Sequence, residues 1–384
     1  MTKPAAPILK LQRISVDLDI PGAVDAVRRA SGKGPFRQAC EIAAFALGKQ
    51  RLSFKDYYLE GLWRPELTAA EKAAFVSEAK STAINRQLAP VNGLGLQGFF
   101  TDKLLTGLTL RAAGFPILRP RAIYGKVLKL SGTERLESAA DIVAFLLREG
   151  ALPVFGKPLH ASLSIGAVSI LSVRDGGRSL VLGDGRIVGL EALSHEIAAN
   201  FPQGYVFEPL IRQHSDVEAI TGPAVGGLRV VTLRTPEDAA VLYTVQRLPG
   251  AGAMMDAMSS HGAYCVAYID PDTGRVIRAS AMDQSAPTRL EVSVVTGARF
   301  DEAVVPFVKA AHAIAIDAHR LFVRPGLLGF DFALTPEGPL ITEINSNPFH
   351  ATYQHAADRG LLNPDFTPAI KVALDVVRAE AGKA

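Results

Sequence analysis

Between Leu328 and Asn345 two short apolar-rich segments flank a Thr-Pro-Glu-Gly-Pro turn, and three oxygen-bearing side chains alternate with the apolar ones. This stretch constrains the fold most tightly. Pro336 suits position i+1 of a type I turn, and Gly338 suits the left-handed position that follows. The chemistry predicts a three-residue hairpin loop with Thr335 opposite Pro339. Counting back from that pair sets Asp331 opposite Glu343. Asn345 shares the face of Glu343, because strand side chains alternate. Phe330, Phe332, Leu340, Thr342 and Ile344 are left to fill the other face.

Two carboxylates and a carboxamide on one sheet face form the oxygen set that a hard cation needs. Asp331, Glu343 and Asn345 are therefore the candidate metal ligands, beside Asn347-Pro348. Magnesium is the expected ion, with manganese an admissible substitute. A solvated hairpin whose acids happen to align is the plainer alternative.

The rest of the sequence supplies helices first and strands later. Phe36 to Leu47 reads as a helix, and Thr68-Ala69-Ala70-Glu71 is a capping box opening a helix towards Leu88. Tyr57, Tyr58, Leu62 and Trp63 have the spacing of a core cluster. Asp102 to Ala113 is a short helix closed by Gly114, and Ser138 to Arg148 is another. Strands are expected at 117–124, 152–158, 165–173, 179–182, 186–188 and 204–210, with a helix at Leu190–Asn200 among them. A second run follows at 228–234, 240–247, 263–269 and 276–281. A helix from Asp301 to Val323 precedes the hairpin, and one from about Pro368 to Ala381 follows it.

Other classes are disfavoured. A net charge of +3 on 384 residues is too small for a protein held to nucleic acid by phosphate neutralisation. Cys40 and Cys265 are too far apart in sequence to suggest a zinc cluster or a disulfide framework. Met1 to Ile20 has no continuous apolar core, and Val304 to Val323 is interrupted by Lys309, His312, Asp317, His319 and Arg320. The sequence reads as cytoplasmic, without a membrane span.

Phosphate binding has no Walker loop to rest on, because Gly156-Lys157-Pro158 lacks the required spacing. The chain instead resembles the ATP-grasp superfamily, and within it the sugar-transfer-associated family. The resemblance rests on five motifs: Thr101-Asp102-Lys103-Leu104; Val154-Phe155-Gly156-Lys157-Pro158; Val206-Phe207-Glu208-Pro209-Leu210-Ile211; Gly227-Leu228-Arg229-Val230-Val231-Thr232; and Glu343-Ile344-Asn345-Ser346-Asn347-Pro348. They run in the family's order over about two thirds of the chain.

The resemblance implies an α+β fold in which two subdomains close over ATP, with helices in front. The expected division is a helical region over 1–95, a linker helix and first subdomain over 96–211, and a second subdomain with the metal site over 212–384. By the same resemblance Lys157 and Lys103 reach the nucleotide phosphates. Glu208, Pro209, Leu210 and Ile211 form the hinge that holds adenine, Asp216 or Ser215 meets the ribose, and Arg229 steadies the transferring phosphate. Where relatives place glycines over the phosphates, this chain has Leu159 to Gly166. Ser162 and Ser164 are candidate donors there, with Gly166 permitting close approach.

The implied reaction is phosphorylation of a carboxylate by ATP, then displacement of phosphate by an amine, hydroxyl or thiol. The expected substrates are a small-molecule or saccharide-linked carboxylate and its acceptor. Two alternatives remain at this point: a phosphotransferase acting on a hydroxyl, and a nucleotide-binding partner of a glycosyltransferase. His261, His350, Gln354 and His355 are candidates for contacting substrate near the metal.

Overall fold

Capping chemistry sets the N-terminal helices. A computed structural model describes residues 6–11, 18–48, 51–89, 94–126, 130–160, 164–254, 264–282, 287–322 and 324–381. Helices α1 (Ile20–Ser31), α2 (Pro35–Leu47), α3 (Phe54–Leu59), α4 (Ala69–Ala74) and α5 (Glu78–Leu88) come first. Asp19, Ser53, Thr68 and Ser77 cap four of them through side-chain oxygens. The single helix expected from Thr68 to Leu88 is thus two. Phe75 and Val76 leave helical geometry to enter the core, and Ser77 restarts the helix. Tyr57, Tyr58 and Leu62 form the centre of this region's own core, as their spacing predicts, and Trp63 packs against it.

Helices α6 (Leu94–Thr101) and α7 (Lys103–Ala112) are separated by Asp102, whose carboxylate caps α7. The first sheet follows. Its strands are β1 (Ala122–Tyr124), β2 (Glu134–Leu136), β3 (Val154–Pro158), β4 (Val168–Arg174), β5 (Ser179–Leu182), β6 (Ile187–Gly189) and β7 (Tyr205–Pro209). They lie in the order β2-β1-β7-β3-β4-β5-β6. Helices α8 (Ala139–Leu147) and α9 (Leu190–Asn200) cover one face, burying Ile142, Phe145, Leu193 and Ile197 against Val154, Ile170 and Phe207.

Helix α10 (Ser215–Thr221) leads into the second sheet. Here β8 (Gly227–Arg234), β9 (Ala239–Leu248), β10 (Cys265–Ile269), β11 (Val276–Met282), β12 (Pro287–Leu290), β13 (Leu327–Thr335) and β14 (Gly338–Asn345) take the order β12-β11-β10-β9-β8-β13-β14. Helix α11 (Val308–Leu321) packs on one face with α6, α7 and α10, in a core containing Val230, Phe330 and Phe332. Helices α12 (Ala351–Ala357) and α13 (Phe366–Ala381) join α5 on the other face, around Val231, Tyr243 and Tyr353. No helix among the described residues is long and apolar enough to cross a membrane.

Several boundaries differ from the sequence reading for identifiable reasons. Helix α11 begins at Val308 instead of Asp301. Val304 and Val305 pair with the turn between β10 and β11, and Pro306 disfavours helix in the residue before it. Ile117 makes only one bridge, to Ile341, and the strand expected from it starts at Ala122. Strands β2 and β12 and helices α1, α3, α6, α10 and α12 are additional to those expected.

Packing links segments on the two sides of residues 95 and 96. Leu9 lies in the core of the first sheet, and the Ile8 and Leu9 N–H groups donate to the Glu196 carboxylate at 2.9 and 2.6 Å. Phe100 and Leu110 lie in the core of the second sheet, whereas Leu104 of α7 packs against Ile123, Leu159 and Val206 of the first.

Candidate active site

The hairpin of β13 and β14 places Asp331 opposite Glu343 and Gly329 opposite Asn345. The pairing expected for the acids is correct, yet the turn that was to produce it is not. Thr335 pairs with Gly338, so the loop has two residues in place of three. The Thr335 hydroxyl tightens it by donating to the Gly338 carbonyl at 2.8 Å and accepting from Glu337 N–H at 3.2 Å. A bulge between Asp331 and Phe332 then shifts the register back by one residue. Thr342 occupies the bulge and donates to the Asp331 carbonyl at 3.0 Å. The two-residue turn, by setting Phe332 opposite Ile341, is what brings Ile341 and not Leu340 into the core.

Asp331 is 1% exposed. Arg229, directly across on β8, grips it twice, Nε to Oδ1 at 2.7 Å and Nη2 to Oδ2 at 2.8 Å. Arg247 on β9 adds a contact to Oδ2 at 3.1 Å, and Asn345 Nδ2 approaches the same oxygen at 3.4 Å. Burial alone would raise the carboxyl pKa; the two guanidiniums outweigh it and hold the pKa below the usual range. Asp331 thus serves first as the counter-charge of two arginines. The three metal candidates converge, but the accessible donors among them are Glu343 and Asn345. Among the described residues no three His, Cys, Asp or Glu side chains gather into a metal cage.

Lys103 begins α7 and brings its Nζ to 3.4 Å from Glu343 Oε1. Lys157 on β3 and Glu208 on β7 form a 2.7 Å ion pair, each side chain 15% exposed. Lys103, Lys157, Glu208 and Glu343 line one cleft, whose apolar walls include Leu104, Leu118 and Val206. The first sheet turns the Lys157 face towards α7 at this cleft, and the edge strand β14 closes it from the second sheet.

The remaining predicted residues are distributed unevenly. Pro209, Leu210 and Ile211 are half-buried where β7 leaves the first sheet, with Leu210 N–H donating to the Pro153 carbonyl at 3.4 Å. Asp216 is 61% exposed in the first turn of α10 and stands apart from the cleft-lining set, beside His214. Ser162 lies outside the described residues, as does His261. Ser164 holds a left-handed conformation, φ 60°, and its carbonyl accepts from Ala167 N–H. Gly166 has a packing reason as well as a loop one: a Cβ there would sit 2.3 Å from Phe201 and 2.7 Å from Pro158.

His350, Gln354 and His355 are interior residues, which corrects their reading as substrate contacts. His350 and Gln354 are 0% exposed and His355 is 4%. Gln354 bonds the Val76 backbone, and His355 faces Glu60 at 3.1 Å, so both tie α12 to the N-terminal helices. Arg247 and Arg111 escaped the sequence reading. Arg247 closes the apolar run of β9, and that isolated charge is its one sequence signal. Arg111 lines the cleft from α7, donating to the Leu118 carbonyl at 2.7 Å.

Two layered sheets with a basic and acidic cleft at their junction define the class expected from the motifs, and a family model agrees. The model described as "Sugar-transfer associated ATP-grasp" matches residues 164–367, more than half of the chain. The protein belongs to this ATP-grasp family. Among solved structures, the chain is similar to the D-alanine-D-alanine ligase from Coxiella burnetii (TM-score 0.41, 16% identity, 79% of this chain and 67% of that one). It is similar also to the Bacillus anthracis D-alanine--D-alanine ligase complexed with ATP (0.40, 11%, 76% and 72%). A third is the biotin carboxylase domain of the Hydrogenobacter thermophilus 2-oxoglutarate carboxylase, in complex with MgADP, ADP and bicarbonate (0.42, 10%, 79% and 51%). No protein of curated function matches the sequence.

Proposed function

We propose that this protein is an ATP- and magnesium-dependent ligase that activates a carboxylate as an acyl phosphate and joins it to an amine, hydroxyl or thiol. The observation that carries the reading is the single cleft lined by Lys103, Lys157, Glu208 and Glu343, in a member of an ATP-grasp family. A carboxylate attached to a saccharide or a cell-surface polymer is the substrate class that fits the family's description.

Each side chain has a task that follows from its position. Lys157 offers a compact charge to phosphate oxygens, and its partner Glu208 offers an acceptor to the adenine amino group. The backbone of Pro209, Leu210 and Ile211 supplies the remaining adenine contacts. Lys103 stands over Glu343, so it meets phosphate beside the acidic edge. Ser162 and Ser164 would donate to phosphate, and Asp216 would meet the ribose. Arg229 and Arg247, fixed on Asp331, present cationic charge that is already ordered before the reaction begins. The acyl-transfer step is balanced without a protein nucleophile. The acceptor attacks the acyl carbon, the carbon–oxygen bond to phosphate breaks with its electron pair leaving on inorganic phosphate, and the acceptor's proton passes to that phosphate or to water.

Glu343 and Asn345 fit a magnesium ion that keeps water and phosphate as its other ligands. Such an ion, or manganese in its place, would neutralise phosphate charge. Asp331 completes the set only by sharing an oxygen with its arginines.

Purified protein with magnesium, ATP and a panel of carboxylates and acceptors tests the proposal. Phosphate release should require both a carboxylate and an acceptor, and Glu343→Ala should lower it about a hundredfold or more in a folded protein. Turnover that proceeds with an alcohol alone and yields its phosphate ester would instead make the protein a phosphotransferase.

A further inference from the structure

Asn85 lies on α5, outside the segment matched by the family model, and is 3% exposed. Its side chain reaches the turn that follows β14. Nδ2 donates to Asn347 Oδ1 at 2.6 Å and to the Pro348 carbonyl at 3.1 Å. Its Oδ1 is 2.8 Å from His350 Nε2, and His350 Nδ1 is 2.8 Å from the Tyr243 hydroxyl.

Donor arithmetic gives this network one direction. Both Asn85 amide hydrogens go to oxygens, so Asn85 Oδ1 must accept. His350 therefore carries its hydrogen on Nε2 and receives the Tyr243 hydroxyl hydrogen at Nδ1. Burial pushes the His350 pKa down to about 3, so the ring stays neutral at ordinary pH. The bonds run from Tyr243 through His350 and Asn85 to Asn347 without a conflict.

Both ends of the network border the charged face. Asn347 follows Asn345 by two residues, and Pro348 lies over Gly329, where a Cβ would come within 2.9 Å of it. Tyr243 pairs with Val231, two residues along β8 from Arg229. Other ties already hold the N-terminal helices to α12, among them Arg64 to Asp358 at 2.8 Å and Gln354 to Val76. Of these ties, Asn85 is the one that reaches the turn beside Asn345.

We propose that Asn85 is a positioning residue, setting the turn after β14 and through it the aim of Asn345 and Glu343. The inference rests on the magnesium–ATP reading given above. It assigns part of the cation site's geometry to a helix outside the two sheets.

Manganese–ATP binding to the full chain, read by proton relaxation enhancement, tests it with wild type, Asn85→Ala and Arg64→Ala. Asn85→Ala should weaken manganese binding about tenfold, whereas Arg64→Ala, which cuts the same interface elsewhere, should bind as wild type does. Asn85→Asp preserves the volume and should show the same weakening if the alanine variant does not fold. Unchanged binding in a folded Asn85 variant, or an equal loss in Arg64→Ala, would overturn the assignment. Failure of wild type to bind manganese–ATP would remove the underlying site and this role with it. That outcome is visible before any variant is compared.

Discussion

Arg229 meets Asp331 across 102 residues of sequence, and the pair is bidentate and buried. Removing one partner of such a pair leaves an uncompensated charge in the interior. Asp331→Asn keeps the shape and should cost about 3–5 kcal/mol of folding stability, read from denaturant unfolding. The double variant Asp331→Asn with Arg229→Leu should recover part of that loss, because both charges then leave together. An unchanged unfolding midpoint for Asp331→Asn would show that the carboxylate is not what compensates Arg229. Sequence reasoning found both residues yet assigned them separately, one to metal and one to phosphate. Their pairing requires β13 to lie beside β8, which nothing local to either residue encodes.

At the scale of elements, the β13–β14 hairpin reaches the expected pairing by two offsets that cancel. The turn is one residue shorter than its Pro-Glu-Gly chemistry suggests, and the bulge at Thr342 restores the count. Deleting Thr342 should let Glu343 take the regular slot opposite Asp331, with Ile341 and Ile344 still in the core. The expected result is a folded protein with the proposed magnesium–ATP dependence intact. Stability should drop by about 1 kcal/mol for the lost Thr342 to Asp331 hydrogen bond. Lost metal dependence in a folded deletion variant would mean that the bulge itself aims Glu343. The helices tell a similar story. Capping at Thr68 was legible because it depends on four consecutive residues. The break before Ser77 was not, because it depends on two separate cores, one taking Phe75 and the other Val76.

For the whole molecule, buried histidines make acid the sensitive condition. Burial depresses the His319 pKa from 6.5 to about 4. Its Nε2–H donates to the Pro325 carbonyl and its Nδ1 faces the Thr232 hydroxyl at 2.7 Å, an arrangement suited to the neutral ring. A group with a lowered histidine pKa binds fewer protons folded than unfolded. Its contribution is therefore complete above pH 6.5 and is lost as pH falls towards 4. The loss attributable to His319 is roughly 3 kcal/mol at most. A thermal midpoint measured across that range should fall with acid, and His319→Gln should flatten the slope. A midpoint independent of pH in this window would contradict the buried neutral assignment. The sequence by itself determined many of the elements in their order, the motifs in their family order and the polar face of the hairpin, because periodicity, turns and caps act over a few residues. Only the tertiary structure decided that Asp331 answers two arginines, that Leu110 of α7 packs in the core of the second sheet, and that His350, Gln354 and His355 are interior ties. Those outcomes depend on which surfaces exclude water together, and burial of that kind is a property of distant segments meeting.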